Sequence, residues 1–187
     1  MEKIYEYEEK FFCRNPEKIK TFLEKELQFS FIKKVLEEDI YFKDIKNKYL
    51  SKNTCLRLRK TNNKFLELTS KKANTFDLSI KLEKTFPLPL NKKDRLIHLL
   101  NRIGISEYIT VFKERFIYQK KFNNIICHIM IDKINKKYTF LEIEFTSNKQ
   151  DFTLSKKVLE KIIKELSSFK IEQTTENYRD FIKNKNS

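Results

Sequence analysis

Cysteine is scarce in this chain of 187 residues, which contains only Cys13, Cys55 and Cys127. The three thiols are far apart in sequence, their number is odd and none belongs to a CxxC pair, which argues against a disulfide framework or a zinc site. Isolated thiols suit a reducing compartment, and the charged first residues lack the apolar segment of a secretory leader. We therefore expect a cytoplasmic protein.

Long apolar runs are also missing. The longest clean stretches, such as residues 125–127, are far too short to cross a bilayer, so no membrane partner is expected. No internal repeat or disordered linker interrupts the chain, which fits a single domain over residues 1–187 with a core at about 3–182. Glycine occurs once and tryptophan not at all, while lysine, asparagine and isoleucine are frequent, as in an AT-biased genome.

Aromatic and positively charged residues are abundant. Hydrophobic residues make up 40% of the chain and include 17 phenylalanines, enough to fill a sizeable core. The net charge of +14 at pH 7 points to an anionic partner, which could be nucleic acid, a membrane surface or a phosphorylated small molecule. Part of that charge carries no functional information, because biased codon usage also places lysines on the surface without a functional role.

Strand-like alternation dominates the sequence, and helical segments interrupt it. The predicted strands are 4–12, 37–43, 54–60, 64–72, 76–86, 108–120, 125–132 and 138–146. The predicted helices are 16–28, 91–103, 155–166 and 176–183. Ser155 is the expected cap of the third helix, Gly104 the expected end of the second, and asparagine pairs form the hairpin turns. This order predicts an α+β fold, an eight-stranded up-and-down antiparallel sheet curled into a β-barrel with helices packed outside.

Charged residues of both signs share one face of these strands. In the first strand Glu6, Glu8 and Lys10 are spaced by two, so they lie on one face, and aromatic residues take the other. Arg57 and Arg59 alternate with leucines in the same way. Such regular pairing of acids with bases would gain little on an outer surface. A barrel closed with these faces inward would instead enclose a polar tunnel, with helices covering the apolar faces.

A tunnel of this kind suits a metal-bound polyphosphate. Its predicted cationic donors are Lys10, Arg57, Arg59, Lys71, Lys81, Lys113 and Arg115. Its predicted carboxylates are Glu6, Glu8, Glu142 and Glu144. Arginine forks match phosphate oxygens, and carboxylate oxygens are the ligands that Mg²⁺ and Mn²⁺ prefer. Neither set could stay buried without the other, because an unpaired buried charge is strongly unfavourable.

The order of these residues resembles a known family. Glu6-x-Glu8-x-Lys10 matches the ExExK signature of the CYTH domain superfamily, the triphosphate tunnel metalloenzymes. The rest of the pattern follows as Asp39-x-Tyr41-Phe42, Leu56-Arg57-Leu58-Arg59, Leu68-Thr69-x-Lys71, Lys113-x-Arg115 with Tyr118, Asp132, Glu142-x-Glu144 and Tyr178. The resemblance covers residues 3 to about 182. It implies an eight-stranded antiparallel tunnel that binds a triphosphate and needs Mg²⁺ or Mn²⁺.

The resemblance also implies roles for individual residues. The implied metal ligands are Glu6, Glu8, Asp132, Glu142 and Glu144. The implied phosphate-binding residues are Lys10, Arg57, Arg59, Lys71, Lys81, Lys113 and Arg115, of which Lys10, Arg57, Lys113 and Arg115 are the implied catalytic residues. Among the departures from the family pattern, Lys81 stands where arginine is usual, and Glu37 where glutamine is common. A lysine at position 81 loses the bidentate clamp of arginine.

Three functions remain open at this stage. Length and layout are most similar to the bacterial class IV adenylate cyclase branch, which implies conversion of ATP to cyclic AMP and pyrophosphate. The alternative within the superfamily is hydrolysis of inorganic tripolyphosphate or thiamine triphosphate. The third is a non-catalytic module for nucleic acid or polyphosphate, against which the four glutamates stand because they would repel nucleic acid. We therefore expect a small-molecule triphosphate as partner and no nucleic acid, and the family resemblance allows a homodimer.

Other polar residues receive open interpretations. Asp39 and Tyr41 could contact substrate or serve strand packing. His128 could line the tunnel or be solvated, and His98 is expected on a helix surface. Tyr178 is interpreted as a packing residue, and the three cysteines as small buried hydrophobes.

Overall fold

The first strand, β1 (Ile4–Phe12), closes a β-barrel in this computed structural model, which describes residues 4–51, 54–147 and 151–186. The other strands are β2 (Ser30–Asp44), β3 (Thr54–Thr61), β4 (Phe65–Ala73), β5 (Ile80–Leu88), β6 (Ile105–Phe122), β7 (Ile125–Ile134), β8 (Tyr138–Ser147) and β9 (Glu172–Thr174). The helices are α1 (Pro16–Lys25), α2 (Lys93–Arg102), α3 (Thr153–Leu166) and α4 (Tyr178–Asn186). The predicted α+β fold, an eight-stranded antiparallel barrel with helices, is confirmed.

The strands do not follow one another around the barrel in simple up-and-down order. Their spatial order is β5-β4-β3-β2-β6-β7-β8-β1, and β1 pairs with β5 to close the ring. Strands β1 and β2 are not neighbours in the barrel, and neither are β5 and β6, so the predicted succession is wrong at these two connections. Each of these connections contains a helix, α1 or α2, whose apolar side packs on the outside of the barrel. The helix spans the distance to a strand that is not adjacent to the preceding one.

Two strands are longer than the alternation predicted. Strands β2 and β6 pair from Ser30 opposite Gln119 to Asp44 opposite Ile105, with two register shifts along the way. Strand β3 pairs with β2 only from Glu37 onwards, which explains why the sequence pattern placed the start of β2 there. The first part of β2, residues 30–36, pairs with β6 alone and is mostly exposed, so its alternation is weak.

Strand β5 begins later and ends later than predicted. A turn precedes it, in which the backbone N–H of Ile80 donates to the carbonyl oxygen of Asp77 at 3.1 Å. Pro87, predicted to end the strand, lies within it opposite Glu67 of β4. Among the residues that the structure describes, β1 pairs with β5 only as far as Glu83, so the missing N–H of Pro87 falls outside this pairing, where proline is tolerated.

Turns and caps follow the expected residue types in most places. Gly104 follows α2 with φ of +80°, and Asn62 and Asn63 adopt φ of 51° and 55° in the β3–β4 hairpin. The predicted cap Ser155 is wrong. Helix α3 starts earlier, and the side chain of Asp151 accepts the N–H of Thr153 at 3.0 Å.

The main hydrophobic core lies outside the barrel. Helices α1 and α3 contribute Leu23 and Leu159 to a buried cluster with Phe11, Leu141 and Ile143 from the outer faces of β1 and β8. Helix α2 covers β2 and β3 through a separate cluster that includes Leu100. The outer faces of the strands therefore supply the apolar contacts, and the inner faces are left for polar side chains.

Helix α4 occupies one end of the barrel. Its Phe181 and Ile182 pack with Val111, Ile134 and Phe140, which share the strand faces of the charged tunnel residues. The inner wall is thus apolar at this end, and α4 seals it.

The cysteines and the helices can be compared with the sequence-based expectations of isolated thiols and of no membrane span. The three cysteines are free; Cys13 and Cys127 are buried and Cys55 is half-buried. Burial raises the pKa of the Cys13 thiol to about 11, so it stays protonated at neutral pH. Within the described ranges, every helix is too short or too polar to pass through a bilayer.

Candidate active site

Strand β1 aligns the acidic residues of the tunnel by its pairing. Its neighbour β8 places Glu144 opposite Glu8 and Glu142 opposite Lys10. Its other neighbour, β5, places Lys81 opposite Glu6. Directly opposed residues of antiparallel strands lie on the same face, so three strands bring their charged side chains to one wall of the tunnel.

Three glutamates form a carboxylate cluster on this wall. One carboxylate oxygen each of Glu6, Glu8 and Glu144 lies within 4.8 Å of the other two. Burial raises the pKa of Glu144 well above its usual value, with Glu6 adding to the effect, and burial raises the pKa of Glu6 to about 7. Crowded, buried carboxylates of this kind gain from a further positive charge. The cluster therefore fits a hard divalent cation, whose preferred ligands are carboxylate oxygens.

Two lysines neutralise part of the carboxylate cluster. The ammonium of Lys71 forms ion pairs with Glu6, with Glu8 at 3.6 Å and with Glu83 at 2.8 Å. The ammonium of Lys81 pairs with Glu8. Burial alone would raise the pKa of Glu8, but Lys81 and Lys71 outweigh burial and hold it well below its usual value. Glu8 is thus the cluster member that is already ionised and compensated.

A second group joins Arg115 to two carboxylates. Its Nε and Nη2 donate to the two oxygens of Asp132 at 2.7 Å and 2.6 Å, and Nη2 also donates to Glu142 at 3.1 Å. The hydroxyl of Tyr178 lies 2.9 Å from Asp132 Oδ2 and 3.1 Å from Glu142 Oε2. Burial would raise the pKa of Glu142, but Arg115 outweighs it and the pKa falls to about 2.

A third group joins Arg59 to two further carboxylates. Its Nε and Nη2 donate to Asp39 at 2.6 Å and 2.8 Å, and Nη1 lies 3.3 Å from Glu37. The ammonium of Lys113 lies 2.7 Å from Glu37 and 3.8 Å from Asp39. Asp39, left open by the sequence between substrate contact and packing, is fully buried and held by Arg59.

Two cations are less engaged with carboxylates. Within the described residues Lys10 has no ion pair closer than 4.0 Å, and its ammonium sits 4.1 Å from the centre of the Tyr178 ring. Burial lowers the pKa of Lys10. Arg57 approaches Asp39 only at 4.0 Å, and its buried Nε has no hydrogen-bond partner among the residues described. These two side chains have donor capacity to offer an anion in the tunnel.

The three groups surround one cavity of about 220 Å³. Its lining includes almost every site residue predicted from the sequence: Glu6, Glu8, Lys10, Arg57, Arg59, Lys71, Lys81, Lys113, Arg115, Glu142 and Glu144. Asp132 lies behind this lining, with both oxygens held by Arg115. A metal-binding role for Asp132 and Glu142 stays a prediction, since the structure groups these two with Arg115 rather than with the carboxylate cluster.

Glu83 and Arg179 are among the cavity residues that were not assigned from the sequence. Glu83 contacts Lys71, and its alternation with Lys81 on one face of β5 was a signal that could have identified it. Arg179 lines the cavity from α4 and is 1% exposed, yet no periodic pattern marks it. His128 lies outside the lining, where its Nε2 is 3.1 Å from the side-chain oxygen of Gln119.

The fold and the site together define a protein with a charged tunnel through a closed antiparallel barrel. The model of the CYTH domain family matches residues 5–178, and the chain belongs to this family. Enzymes of the family act on triphosphates and depend on metal ions, and the carboxylate cluster fits that requirement.

Individual relatives agree with this assignment. A provisionally named adenylate cyclase from Methanocaldococcus jannaschii is 28% identical over 147 residues, which are 79% of each chain. A solved structure from Pyrococcus horikoshii has a TM-score of 0.76 at 25% identity, and the match covers 96% of this chain and 99% of that one. A provisionally named adenylyl cyclase from Hippeastrum, described as having a dominant triphosphatase activity, has a TM-score of 0.66 at 16% identity over 95% and 93% of the chains. At that identity the likeness concerns the fold alone.

Proposed function

We propose that this chain is a metal-dependent enzyme that acts on a triphosphate held in the tunnel, with Mg²⁺ or Mn²⁺ as its cofactor. One observation carries the proposal: the carboxylate cluster of Glu6, Glu8 and Glu144 shares a cavity of about 220 Å³ with eight lysine and arginine side chains. Such a cavity matches a metal-complexed polyphosphate in charge, because cations of the protein hold phosphate oxygens while carboxylates hold the metal.

The contacts that each cationic side chain already makes suggest which role it would have in binding the triphosphate. Lys10 and Arg57 have donor capacity left, so we assign them the first contacts with phosphate oxygens. We assign to Lys113 and Arg115, which also line the cavity, the stabilisation of charge on the transferring phosphoryl group. A bound divalent cation would neutralise phosphate charge and lower the pKa of the attacking hydroxyl or water. The apolar end sealed by α4 would exclude water on that side.

The reaction we propose first is the cyclisation of ATP. The ribose 3′-oxygen would form a bond to the α-phosphorus, the bond from that phosphorus to the bridging oxygen would break, and pyrophosphate would leave while the hydroxyl proton passes to water. The provisional name of the Methanocaldococcus relative supports this choice, since the chain matches 79% of that protein.

Hydrolysis of tripolyphosphate or thiamine triphosphate is the second candidate. Water would attack the terminal phosphorus, the bond from that phosphorus to the bridging oxygen would break, and the products would be orthophosphate and the corresponding diphosphate. The size of the cavity supports this reaction: at about 220 Å³ it is smaller than the roughly 300–1,000 Å³ of pockets that enclose drug-sized ligands, so it suits a compact inorganic chain. The Hippeastrum protein, which shares this fold, is described as having a dominant triphosphatase activity, so the fold is compatible with this reaction.

A product assay distinguishes the two reactions. Purified protein would be incubated with ATP or with tripolyphosphate, each with Mg²⁺ or Mn²⁺, and products resolved by chromatography. Cyclic AMP with pyrophosphate establishes the cyclase. Orthophosphate from tripolyphosphate, with ATP intact or cut only to ADP, moves the assignment to the hydrolase. Turnover of neither substrate, together with salt-dependent binding of random duplex DNA, would favour a non-catalytic module.

Variants connect the activity to the tunnel. Glu6→Gln combined with Glu144→Gln should abolish turnover of either substrate, because together they leave a single carboxylate in the cluster to hold a metal ion. Glu114→Gln is the matched control, since Glu114 forms its ion pair with Lys34 away from the cavity lining. It should retain full turnover. An equal loss of turnover in the double variant and in Glu114→Gln would show that the activity does not depend on the carboxylate cluster.

A further inference from the structure

The first turn of α4 places an aromatic ring among the charged groups of the tunnel. Helix α4 begins at Tyr178, which is 5% exposed and packs edge-on against Phe140 at a centroid distance of 5.0 Å. Most of the charged tunnel wall comes from strands, whereas this residue reaches the cavity from a helix that also seals one end of the barrel. The sequence pattern favoured a packing role for Tyr178, and its polar contacts go beyond packing.

The hydroxyl of Tyr178 joins two carboxylates that Arg115 also holds. A phenol carries a single proton, so it donates to Asp132 at 2.9 Å or to Glu142 at 3.1 Å at any one time. Arg115 Nη2 donates to Asp132 Oδ2, which the hydroxyl also approaches, and to Glu142 Oε1, whereas the hydroxyl approaches Glu142 Oε2. The hydroxyl therefore fixes Glu142 on the side that Arg115 leaves open.

The ring of Tyr178 faces two of the tunnel cations. The ammonium of Lys10 lies 4.1 Å from the ring centre, and that of Lys113 lies 5.4 Å away. The negative face of an aromatic ring attracts such a cation without taking up its hydrogen-bond donors as a carboxylate would. Lys10 is thereby held in the cavity, and among the described residues its ammonium forms no ion pair.

The neighbouring residue anchors this turn independently. The guanidinium of Arg179 is buried and donates to the carbonyl oxygens of Tyr49, of Ser51 at 2.7 Å and of Thr54 at 3.2 Å. These carbonyls belong to the segment that leads into β3. Helix α4 is thus fixed to the barrel wall through main-chain contacts, and the position of the Tyr178 ring does not depend on Lys10.

We infer that Tyr178 is a positioning residue of the tunnel, whose ring holds the Lys10 ammonium ready for a phosphate oxygen and whose hydroxyl orients Glu142 beside Arg115. This inference rests on the proposed binding of a triphosphate. The two halves of the side chain have separable tasks: the ring serves substrate binding through Lys10, and the hydroxyl serves the arrangement of Glu142 and Arg115 during turnover.

A double-mutant cycle tests the ring. The measurement is the Kd of imidotriphosphate, a tripolyphosphate analogue with NH in place of the bridging oxygens, determined by calorimetry in Mg²⁺. Tyr178→Leu should weaken binding by about tenfold, whereas in a Lys10→Met background the same change should alter Kd by less than about twofold. Tyr118→Leu removes an equally buried tyrosine from the outer core and should leave Kd unchanged.

Tyr178→Phe tests the hydroxyl and keeps the ring. It should hold Kd within about twofold of the unsubstituted chain while kcat falls by about tenfold, a split that a merely structural role would not produce. Equal weakening by Tyr178→Leu with and without Lys10 overturns the positioning role. If the leucine variant does not fold, a raised Kd in the phenylalanine variant overturns it instead. Absence of analogue binding by the unsubstituted chain overturns the proposed function and this inference together.

Discussion

Arg59 and Asp39 form a buried bidentate ion pair across β2 and β3, with Nε–Oδ1 at 2.6 Å and Nη2–Oδ2 at 2.8 Å. Burial would raise the pKa of Asp39, but Arg59 and Lys113 hold it far below its usual range, so it is ionised at any physiological pH. Two of the guanidinium donors that could grip a phosphate are therefore committed to the protein itself. Arg59 consequently shapes the wall of the tunnel, and its neighbour Arg57 retains more donor capacity.

Removal of Asp39 should be strongly destabilising. Asp39→Ala leaves the buried guanidinium of Arg59 without its partner, and breaking a buried pair in this way costs about 3–5 kcal/mol. Urea unfolding of the variant against the unsubstituted chain measures the loss. The surface pair of Glu114 and Lys34 supplies the comparison, because Glu114→Ala should cost less than about 1 kcal/mol. A similar small loss for both variants would mean that Arg59 finds another partner.

The carboxylate cluster should bind a divalent cation in the absence of any triphosphate. Glu144→Gln removes one of three crowded carboxylates and should weaken Mn²⁺ binding by at least about tenfold, measured by calorimetry or by electron paramagnetic resonance of free Mn²⁺. Glu67→Gln is a control inside the same cavity, since Glu67 lies outside the cluster. Equal weakening by the two changes would indicate a diffuse effect of tunnel charge and no defined site.

Lys81 should compete with the metal. Its ammonium pairs with Glu8, so it occupies one carboxylate of the cluster when no metal is bound. Lys81→Met should tighten Mn²⁺ binding by about tenfold at low salt, because a nearby positive charge is removed, and should weaken binding of imidotriphosphate. Tighter binding of Mn²⁺ together with weaker binding of imidotriphosphate would show that Lys81 competes with the metal. Weakening of both would show that Lys81 supports the fold of the cluster and does not compete for it.

Much of the tunnel was predictable because strand alternation has a period of two. The Glu6, Glu8 and Lys10 spacing placed all three side chains on one face, and the barrel confirms that this face is internal. The order of strands was not predictable in the same way. Alternation reports which residues share a face, but it carries no information on which strand is the neighbour, and the two helical connections broke the simple succession.

The grouping of the charged side chains within the tunnel could not be predicted, for a different reason. Asp132 and Glu142 carry the same chemistry as Glu6 and Glu144, yet only tertiary packing decides which carboxylates meet Arg115 and which meet one another. The role of Arg179 as a buried residue of the cavity could not be predicted from the sequence. Its partners are main-chain carbonyls, which every residue possesses, so no residue type in the sequence marks them.

Acid should destabilise the protein through Glu37. Burial would raise the pKa of this carboxyl, but Lys113 and Arg59 outweigh burial and lower it from 4.5 to about 2. Because the folded-state pKa lies below the unfolded one, the carboxylate stabilises the fold fully above pH 4.5, and this contribution is lost as the pH falls towards 2. Each pKa unit of depression corresponds to roughly 1.4 kcal/mol.

Urea unfolding at a series of pH values between 7 and 2.5 tests this expectation. Glu37→Gln cannot titrate, so its free energy of unfolding should be lower than that of the unsubstituted chain at pH 7, and the two curves should converge as the pH falls below 4.5. Glu142, whose pKa is also about 2, should leave part of the acid dependence in place in the Glu37→Gln variant. Parallel curves over the whole range would show that Glu37 has the same pKa in the folded and unfolded states, and that Lys113 does not stabilise its charge.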